Sequence, residues 1–372
     1  MDKQVARTDV HDFTHFVFPS DFDAEDDLSQ GTDGFSVERF SGKAIFAWAT
    51  FGGNAHFVNT IFENDADFRW ATFAGETSFM AASFRGEARF EFCKLTAKGH
   101  VSFEWVHGMP PVFAGEADFR RVVLKESCTL TFNKVSLDKC RFLGTDLTRV
   151  EFVDVTWPRR EVASRWARRF PGFLPDWLRR WVLLTGDTVY DEFVSIDYEL
   201  IAESCRQIQA NLIDNYRYRQ AGCFHIGEQE MMRKAKGKVR QYLCPAILYR
   251  LVSVYGESYL RPLMWLGLTL FIAPALLLLE GIVLRLPAAG DPPVEVNYDL
   301  VGWVGGFFPW FWDYADAFFI NLSLVTWNRA AITTHLTEWY QRGLVTIESI
   351  LLVVLVTFFV LALKRQFKRK SF

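Results

Sequence analysis

The 372-residue chain holds little of what catalytic chemistry requires. Its six cysteines, Cys93, Cys128, Cys140, Cys205, Cys223 and Cys244, include no CxxC pair and all precede the first long apolar run. That spacing excludes the common zinc and thiol-redox motifs and reads as buried thiols in a reducing compartment. No phosphate loop, nucleophile elbow or metalloprotease helix occurs, so neither an enzyme activity nor a metal or cofactor is expected. His11 and His15 have helical spacing, but a lone pair in an acidic stretch is too little for a metal site. An excess of one charge is lacking too: 41 Lys and Arg stand against 44 Asp and Glu, a net −3. That balance argues against nucleic acid as a partner. Residues 1–34 carry nine Asp or Glu and no apolar core. They read as an acidic, disordered tail rather than a secretory leader, because little apolar surface is there to offset ordering.

What the chain has in abundance is phenylalanine, 36 residues of it. Eleven stand in register at 35, 40, 46, 51, 57, 62, 68, 73, 79, 84 and 90, in alternating steps of five and six, and Leu95, Val101 and Val106 extend the series. A small residue precedes most of them by two places: Ala44, Ala49, Ala55, Thr60, Ala66, Ala71, Thr77, Ala82, Ala88 and Cys93. Steps of five and six match neither the period of a helix nor that of a strand. They suit a chain that turns a corner at each step and points one large side chain inward. Four such sides close a coil of about 22 residues, and stacked coils make a solenoid. The series pauses at His107-Gly108-Met109-Pro110-Pro111. It resumes at Phe113, Phe119, Leu124, Leu130 and Val135, then at Phe142, Leu147 and Phe152.

These residues resemble the pentapeptide-repeat family, with Phe or Leu central and Ala or Cys two places before. The resemblance implies a right-handed quadrilateral β-helix over residues 35–157, and the extra residue in alternate steps implies a bulge at alternate corners. Some members are acidic rods that imitate DNA. Between Phe35 and Trp157 there are 15 acidic and 14 basic residues, so this rod lacks the one-sign field that mimicry needs.

The last third is different in kind. Pro262–Leu279 has no charge, and the apolar run reaches Leu286 if Glu280 is admitted; Gly343–Leu363 has only Glu348. Both are long enough to cross about 30 Å of hydrocarbon, which places spans at about 262–286 and 343–363. Glu280 and Glu348 lie toward the ends that face the intervening loop, where a carboxylate reaches water. Lys234, Lys236, Lys238, Arg240, Arg250 and Arg261 precede the first run; Lys364, Arg365, Lys368, Arg369 and Lys370 follow the second. The loop is acidic, so the positive-inside rule puts both termini in the cytoplasm. Leu300–Trp327, broken by Pro309, Asp313 and Asp316, is apolar and aromatic and is expected to lie on or dip into the outer face.

This layout is similar to that of two-helix ion-channel subunits. Phe318-Phe319-Ile320-Asn321-Leu322-Ser323-Leu324-Val325-Thr326 resembles their pore helix, and Arg342-Gly343-Leu344 with Ile347-Glu348 resembles the entry to their second span. The resemblance covers residues 262–370 and implies a re-entrant segment, an oligomeric pore of four subunits, and pore-lining Ser323, Thr326, Asn328 and Arg329. It departs at Thr326-Trp327-Asn328-Arg329-Ala330-Ala331-Ile332, which lacks the glycines of a potassium filter. Upstream, Glu203-Ser204-Cys205-Arg206-Gln207-Ile208, Ala221-Gly222-Cys223-Phe224-His225 and Arg261-Pro262 resemble the helical linker of bacterial pentapeptide-repeat membrane proteins with a channel-like end.

Between rod and linker, Arg159, Arg160, Arg165, Arg168, Arg169, Arg179 and Arg180 alternate with Trp166, Phe170, Phe173, Trp177 and Trp181. Two readings stand side by side. Arg165, Arg168, Arg169, Trp177, Arg179 and Arg180 lie on an anionic inner leaflet, or the aromatic face closes the open end of the solenoid. The expected organisation is therefore a mixed fold. An acidic tail (1–34) leads into a β-solenoid (35–157), then an α-helical cytoplasmic linker (158–260), then a two-span transmembrane α domain with a re-entrant segment (261–372). The expected setting is the bacterial inner membrane, multi-pass, with the lipid bilayer and other copies of the chain as partners. Three functions fit: a channel-like protein conducting ions under a cytoplasmic sensing or assembly rod, a membrane-anchored scaffold binding a cytoplasmic protein through the solenoid, or a membrane-disrupting effector in stress or phage defence.

Overall fold

The computed structural model describes residues 10–24, 39–96, 99–162, 184–237, 240–243, 245–280, 282–285, 294–296, 307–322 and 339–370. The chain divides into two compact units, Met1–Gln241 and Tyr242–Phe372.

In the first unit short strands, mostly of two residues, follow one another at the steps of the ladder, and consecutive strands enter four parallel sheets in turn. Ala44–Ile45, Thr50–Phe51, Ala55–His56 and Ile61–Phe62 make the four sides of one coil. Their partners begin at Ala66, Thr72, Thr77 and Ser83, the four sides of the next. The result is a solenoid-like stack. The ladder phenylalanines from Phe40 to Phe90 point inward and are buried, and Phe35 lies outside the described residues. Rings from successive coils lie face to face: Phe46 on Phe68 at 4.9 Å, Phe51 on Phe73 at 5.2 Å, Phe57 on Phe79 at 4.9 Å and Phe62 on Phe84 at 4.6 Å. That spacing is the distance between neighbouring strands, so the sheet ladder sets the aromatic ladder. Burying each ring contributes about 1.5–3 kcal/mol. The preceding Ala, Thr or Cys is buried as well, because no second large side chain fits in a coil this narrow.

The two kinds of corner solve different problems. In the five-residue corners the Phe carbonyl accepts from the amide three residues on, as in Phe46–Ala49 at 3.1 Å and Phe68–Ala71 at 3.0 Å. Trp48 (φ 61°) and Trp70 (φ 63°) occupy the left-handed position there, the pattern of a type II turn. The six-residue corners differ. Several of these bring glycine against the previous coil: a Cβ on Gly75 would lie 2.4 Å from the Gly53 carbonyl oxygen. The left-handed turn residues form a second, outer stack, Trp48 on Trp70 at 4.8 Å and Trp70 on Phe92 at 4.2 Å, with the Arg121 guanidinium 5.5 Å from the Phe92 ring centre.

Three expectations change in this unit. Residues 10–24, assigned to the tail, form a first coil: His11 pairs with Ala44, Val17 with Thr50 and Phe22 with Ala55. Past Leu95 the ladder place passes to Phe103 and Phe132, which are in register with Phe79; Val101 and Leu130 take the small-residue place and Val106 is 37% exposed. The cause is coil length. Glu76 pairs with His100 and His100 with Thr129, and both steps along the chain are longer than the one from Ala44 to its partner Ala66.

The third change concerns the segment read as a linker. Helices α1 (Tyr198–Asp214) and α2 (Tyr218–Ala235) pack as a pair whose apolar stripes, Ile201, Cys205, Ile208 and Leu212 with Ala221, Phe224 and Met231, join the solenoid core. They meet the unpaired groups of the last coil with side chains, helped by Asp191 just upstream. Asn211 Nδ2 donates to the Val150 carbonyl at 2.6 Å, Gln207 Oε1 accepts from Leu147 N at 2.8 Å, and Asp191 Oδ2 accepts from Phe142 N at 2.7 Å. An open strand edge invites pairing with other chains; this helix pair closes it.

The second unit contains α3 (Pro245–Ser253), α4 (Leu260–Glu280), α5 (Phe307–Leu322) and α6 (Trp339–Lys370). The first apolar helix stops at Glu280 rather than near 286, and Ile282–Arg285 instead pairs antiparallel with Val294–Val296.

Candidate functional site

Two helices of the second unit, at Leu260–Leu279 and Arg342–Arg365, are long and apolar enough to cross a membrane. Only 28% of each window is buried within the protein, whereas the core helix of a soluble protein hides most of its apolar surface. Leu263, Met264, Leu268, Phe271 and Ile272 are exposed on α4, and Ile347, Ile350, Val353 and Val360 on α6.

Helix α5 runs unbroken through Pro309, Asp313 and Asp316, the residues that break the apolar run in the sequence. Proline is tolerated because it stands in the first turn, where its missing N–H has no partner to lose. The described length of α5, 16 residues or about 24 Å, is short of what crosses hydrocarbon. The helix is tied to both longer helices by specific contacts. Tyr314 Oη donates to the Phe271 carbonyl of α4 at 2.7 Å, and Phe318 stacks on Phe271 at 5.4 Å. Asn321 Nδ2 donates to Glu348 Oε1 of α6 at 2.8 Å. Leu277, Leu278, Ala317, Val345 and Leu352 fill the space between them. Glu348 therefore does not reach water as the sequence suggested. It is 4% exposed and engaged by an amide.

Before α4 lies an elbow of left-handed residues, Val254 (φ 54°), Tyr255 (φ 56°) and Gly256 (φ 81°). A β-branched residue is strained there. Arg365 of α6 holds the elbow, donating to the Tyr255 carbonyl at 3.2 Å and pairing with Glu257 at 3.2 Å. Tyr249 of α3 stacks on Phe358 of α6 at 5.4 Å.

Ser323, Thr326, Asn328 and Arg329 lie outside the described residues, after the end of α5. Arg165, Arg168, Arg169, Trp177, Arg179 and Arg180 also lie outside them, and their flanks are described. Arg159–Val162 pairs antiparallel with Leu184–Asp187, so the basic-aromatic stretch joins the two strands of a ribbon. The ribbon is pinned at its base by a buried network. Arg160 donates to Thr188 Oγ1 at 2.6 Å and to both oxygens of Glu192, and Lys234 stands 3.9 Å from the same carboxylate. Burial pushes the Lys234 ammonium below its ordinary range, against the pull of Glu192 and Glu230.

Burial pushes the Cys205 thiol up to about 12 and Cys93 and Cys140 upward as well, far from the thiolate that chemistry needs. Among the described residues no cluster of three or more His, Cys, Asp or Glu is placed to hold a metal. His11 and His15, the pair noticed in the sequence, separate: His11 packs edge-on against Phe40 and His15 stacks on Trp48.

Sequence reasoning passes over the role of Asn321 and misplaces Glu348. The available signal is an isolated carboxylate in an otherwise apolar run, which in a membrane protein marks a site with a partner. The chain matches no family model, and comparison with curated proteins and with solved structures gives no match.

Proposed function

We propose that the chain is a channel-like protein of the bacterial inner membrane. Helices α4 and α6 span the bilayer, and residues 300–327 re-enter it from the far side. The observation that carries this reading is α5: a helix whose described length falls short of a span, aromatic, and fastened by Tyr314, Phe318 and Asn321 to two helices that are long enough. Such a helix is suited to present the residues that follow it, Ser323, Thr326, Asn328 and Arg329, to a pore shared by several copies, four by the family resemblance. The basic flanks put both termini in the cytoplasm. The pentapeptide-repeat rod, right-handed by the same resemblance, then serves as an assembly or sensing domain, with Arg165, Arg168, Arg169, Trp177, Arg179 and Arg180 at the inner leaflet. Its enclosed aromatic core and its closed end suit a rigid attachment better than a chemical role.

Purified full-length protein in planar bilayers tests the reading. Discrete currents altered by Thr326→Ala and Arg329→Ala are the expected result. Absence of conductance across ions and pH, together with a stable monomer in detergent, overturns it in favour of an anchored scaffold.

A further inference from the structure

The tie between α5 and α6 leaves two atoms unaccounted for. Asn321 is fully buried and Glu348 nearly so; one hydrogen bond joins Asn321 Nδ2 to Glu348 Oε1 at 2.8 Å. Glu348 Oε2 and Asn321 Oδ1 are both buried with no hydrogen-bond partner among the described residues. An ionised carboxylate and an amide oxygen only accept, so these two atoms cannot satisfy each other as they stand. Charged residues on the packed elements are Arg250 on α3, Arg261 and Glu280 on α4, Asp313 and Asp316 on α5, Arg342, Lys364, Arg365, Lys368, Arg369 and Lys370 on α6, and Arg285 and Glu295 on the strand pair that follows α4. Among the described residues none forms an ion pair with Glu348, and a lone carboxylate inside an apolar bundle has nothing to offset its lost hydration.

A single proton meets both deficits. We propose that Glu348 is a proton-binding site: its carboxyl is protonated at neutral pH and donates from Oε2 toward Asn321 Oδ1 while Asn321 Nδ2 donates to Oε1. The product is a two-point acid–amide pair joining α5 to α6. Losing the proton turns the second contact into two facing acceptors and loosens the tie. Helix α5 leads directly into Ser323, Thr326, Asn328 and Arg329. The functional consequence, a pH-sensitive hold on that segment, rests on the channel-like reading; the proton site does not.

The test is infrared spectroscopy of the full chain in lipid nanodiscs, titrated with pH, alongside thermal unfolding. Wild type is expected to show a protonated-carboxyl C=O band at neutral pH that is absent from E348Q and shifted in N321L. The proton is part of the folded tie, so the wild-type unfolding midpoint falls as pH rises through the loss of that band. E348Q keeps a permanent donor in its side-chain amide, and this component of the pH dependence is gone. A wild-type spectrum without the band at neutral pH overturns the proposal even if neither variant folds. So does an E348Q protein with the same band and the same pH dependence as wild type. Bilayer currents recorded in parallel separate the two readings. The band without current keeps the proton site and removes the channel, whereas current without the band does the reverse.

Discussion

The two units are both rich in large apolar side chains and dispose of them in opposite ways. In the first, Phe46, Phe51, Phe57, Phe62, Phe68 and Phe79 are wholly enclosed by their own coil and its neighbours. In the second, α4 and α6 leave most of their apolar surface on the outside. A water-soluble protein rarely exposes an apolar area of that size, and a lipid tail is as good a neighbour for leucine as another leucine is. The long uncharged runs of the second unit set it apart in composition, and the period of the apolar positions separates the two further. Steps of five and six can close only inward, while an uninterrupted run clothes a helix on every side.

The strongest way to break this comparison is to cut a large apolar side chain from each unit. Phe79 stacks between Phe57 at 4.9 Å and Phe103 at 4.7 Å. Phe79→Ala is expected to destabilise the first unit by about 3–5 kcal/mol, because coils locked by backbone ladders cannot collapse into the cavity. Ile350 is 58% exposed on α6, and Ile350→Ala is expected to stay within about 0.5 kcal/mol of wild type. Denaturant titration of the full chain in detergent, followed by probes in each unit, reads both. Equal losses would mean that the α6 surface is a protein core rather than a lipid-facing one.

How far the sequence foretells this architecture can be traced to coil length. Where successive coils keep one length, from Ala44 to Phe90, each inward residue falls where the period places it. Where length varies, the period misleads. The first described coil pairs His11 with Ala44 and Phe22 with Ala55, a longer step than the regular one; Phe13 and Phe18 keep the register, but the periodic places that follow hold Ala24 and Ser29 and Phe22 takes a small-residue place, so the stretch resembles a tail. The coil that carries Phe79 to its partner Phe103 is longer as well, and the period therefore points to Val101 in its place, and to Val106 where Phe113 pairs with Phe84. The closing helices are recognisable as helices, yet only the structure shows Asn211 and Gln207 meeting the last coil, since a helical stripe does not announce its partner. In the second unit both long helices are legible from their apolar length. The Asn321–Glu348 pair is not, because a long stretch of chain and a change of helix separate its members.

A smaller contrast comes from glycine. Gly75 sits so close to the previous coil that an added Cβ meets the Gly53 carbonyl at 2.4 Å, and both partners are backbone. Gly75→Ala is expected to cost about 1–3 kcal/mol, as overpacking does where nothing can yield. Gly267 in α4 has nothing within 4 Å of the same added atom. Gly267→Ala is expected to stabilise its helix by up to about 1 kcal/mol, the intrinsic preference for alanine. Opposite signs from one substitution, read in unfolding midpoints, sharpen the distinction; two losses would show that α4 is closely packed against a further surface at that point.

The smallest expected effect concerns a buried acid in the solenoid unit, and its sign is instructive. Asp191 is fully buried; Oδ2 accepts from Phe142 N, and Arg141 Nε stands 3.9 Å from Oδ1, which has no hydrogen bond among the described residues. Burial pushes the Asp191 carboxyl above its ordinary value, only partly offset by the Phe142 amide and the Arg141 charge. The folded state thus holds this proton more tightly than the unfolded chain. Its contribution is fully present below about pH 4, the ordinary aspartate value, and is lost as pH rises through the higher folded value. Asp191→Asn keeps an acceptor for Phe142 and removes the titration. The variant is expected to lie within about 1 kcal/mol of wild type, the net worth of one hydrogen bond. It should also flatten the stability–pH curve above about pH 4 in the solenoid probe while leaving the α6 probe unchanged. A curve that steepens, or a change confined to the α6 probe, would show that the acid closing the solenoid works in its ionised form.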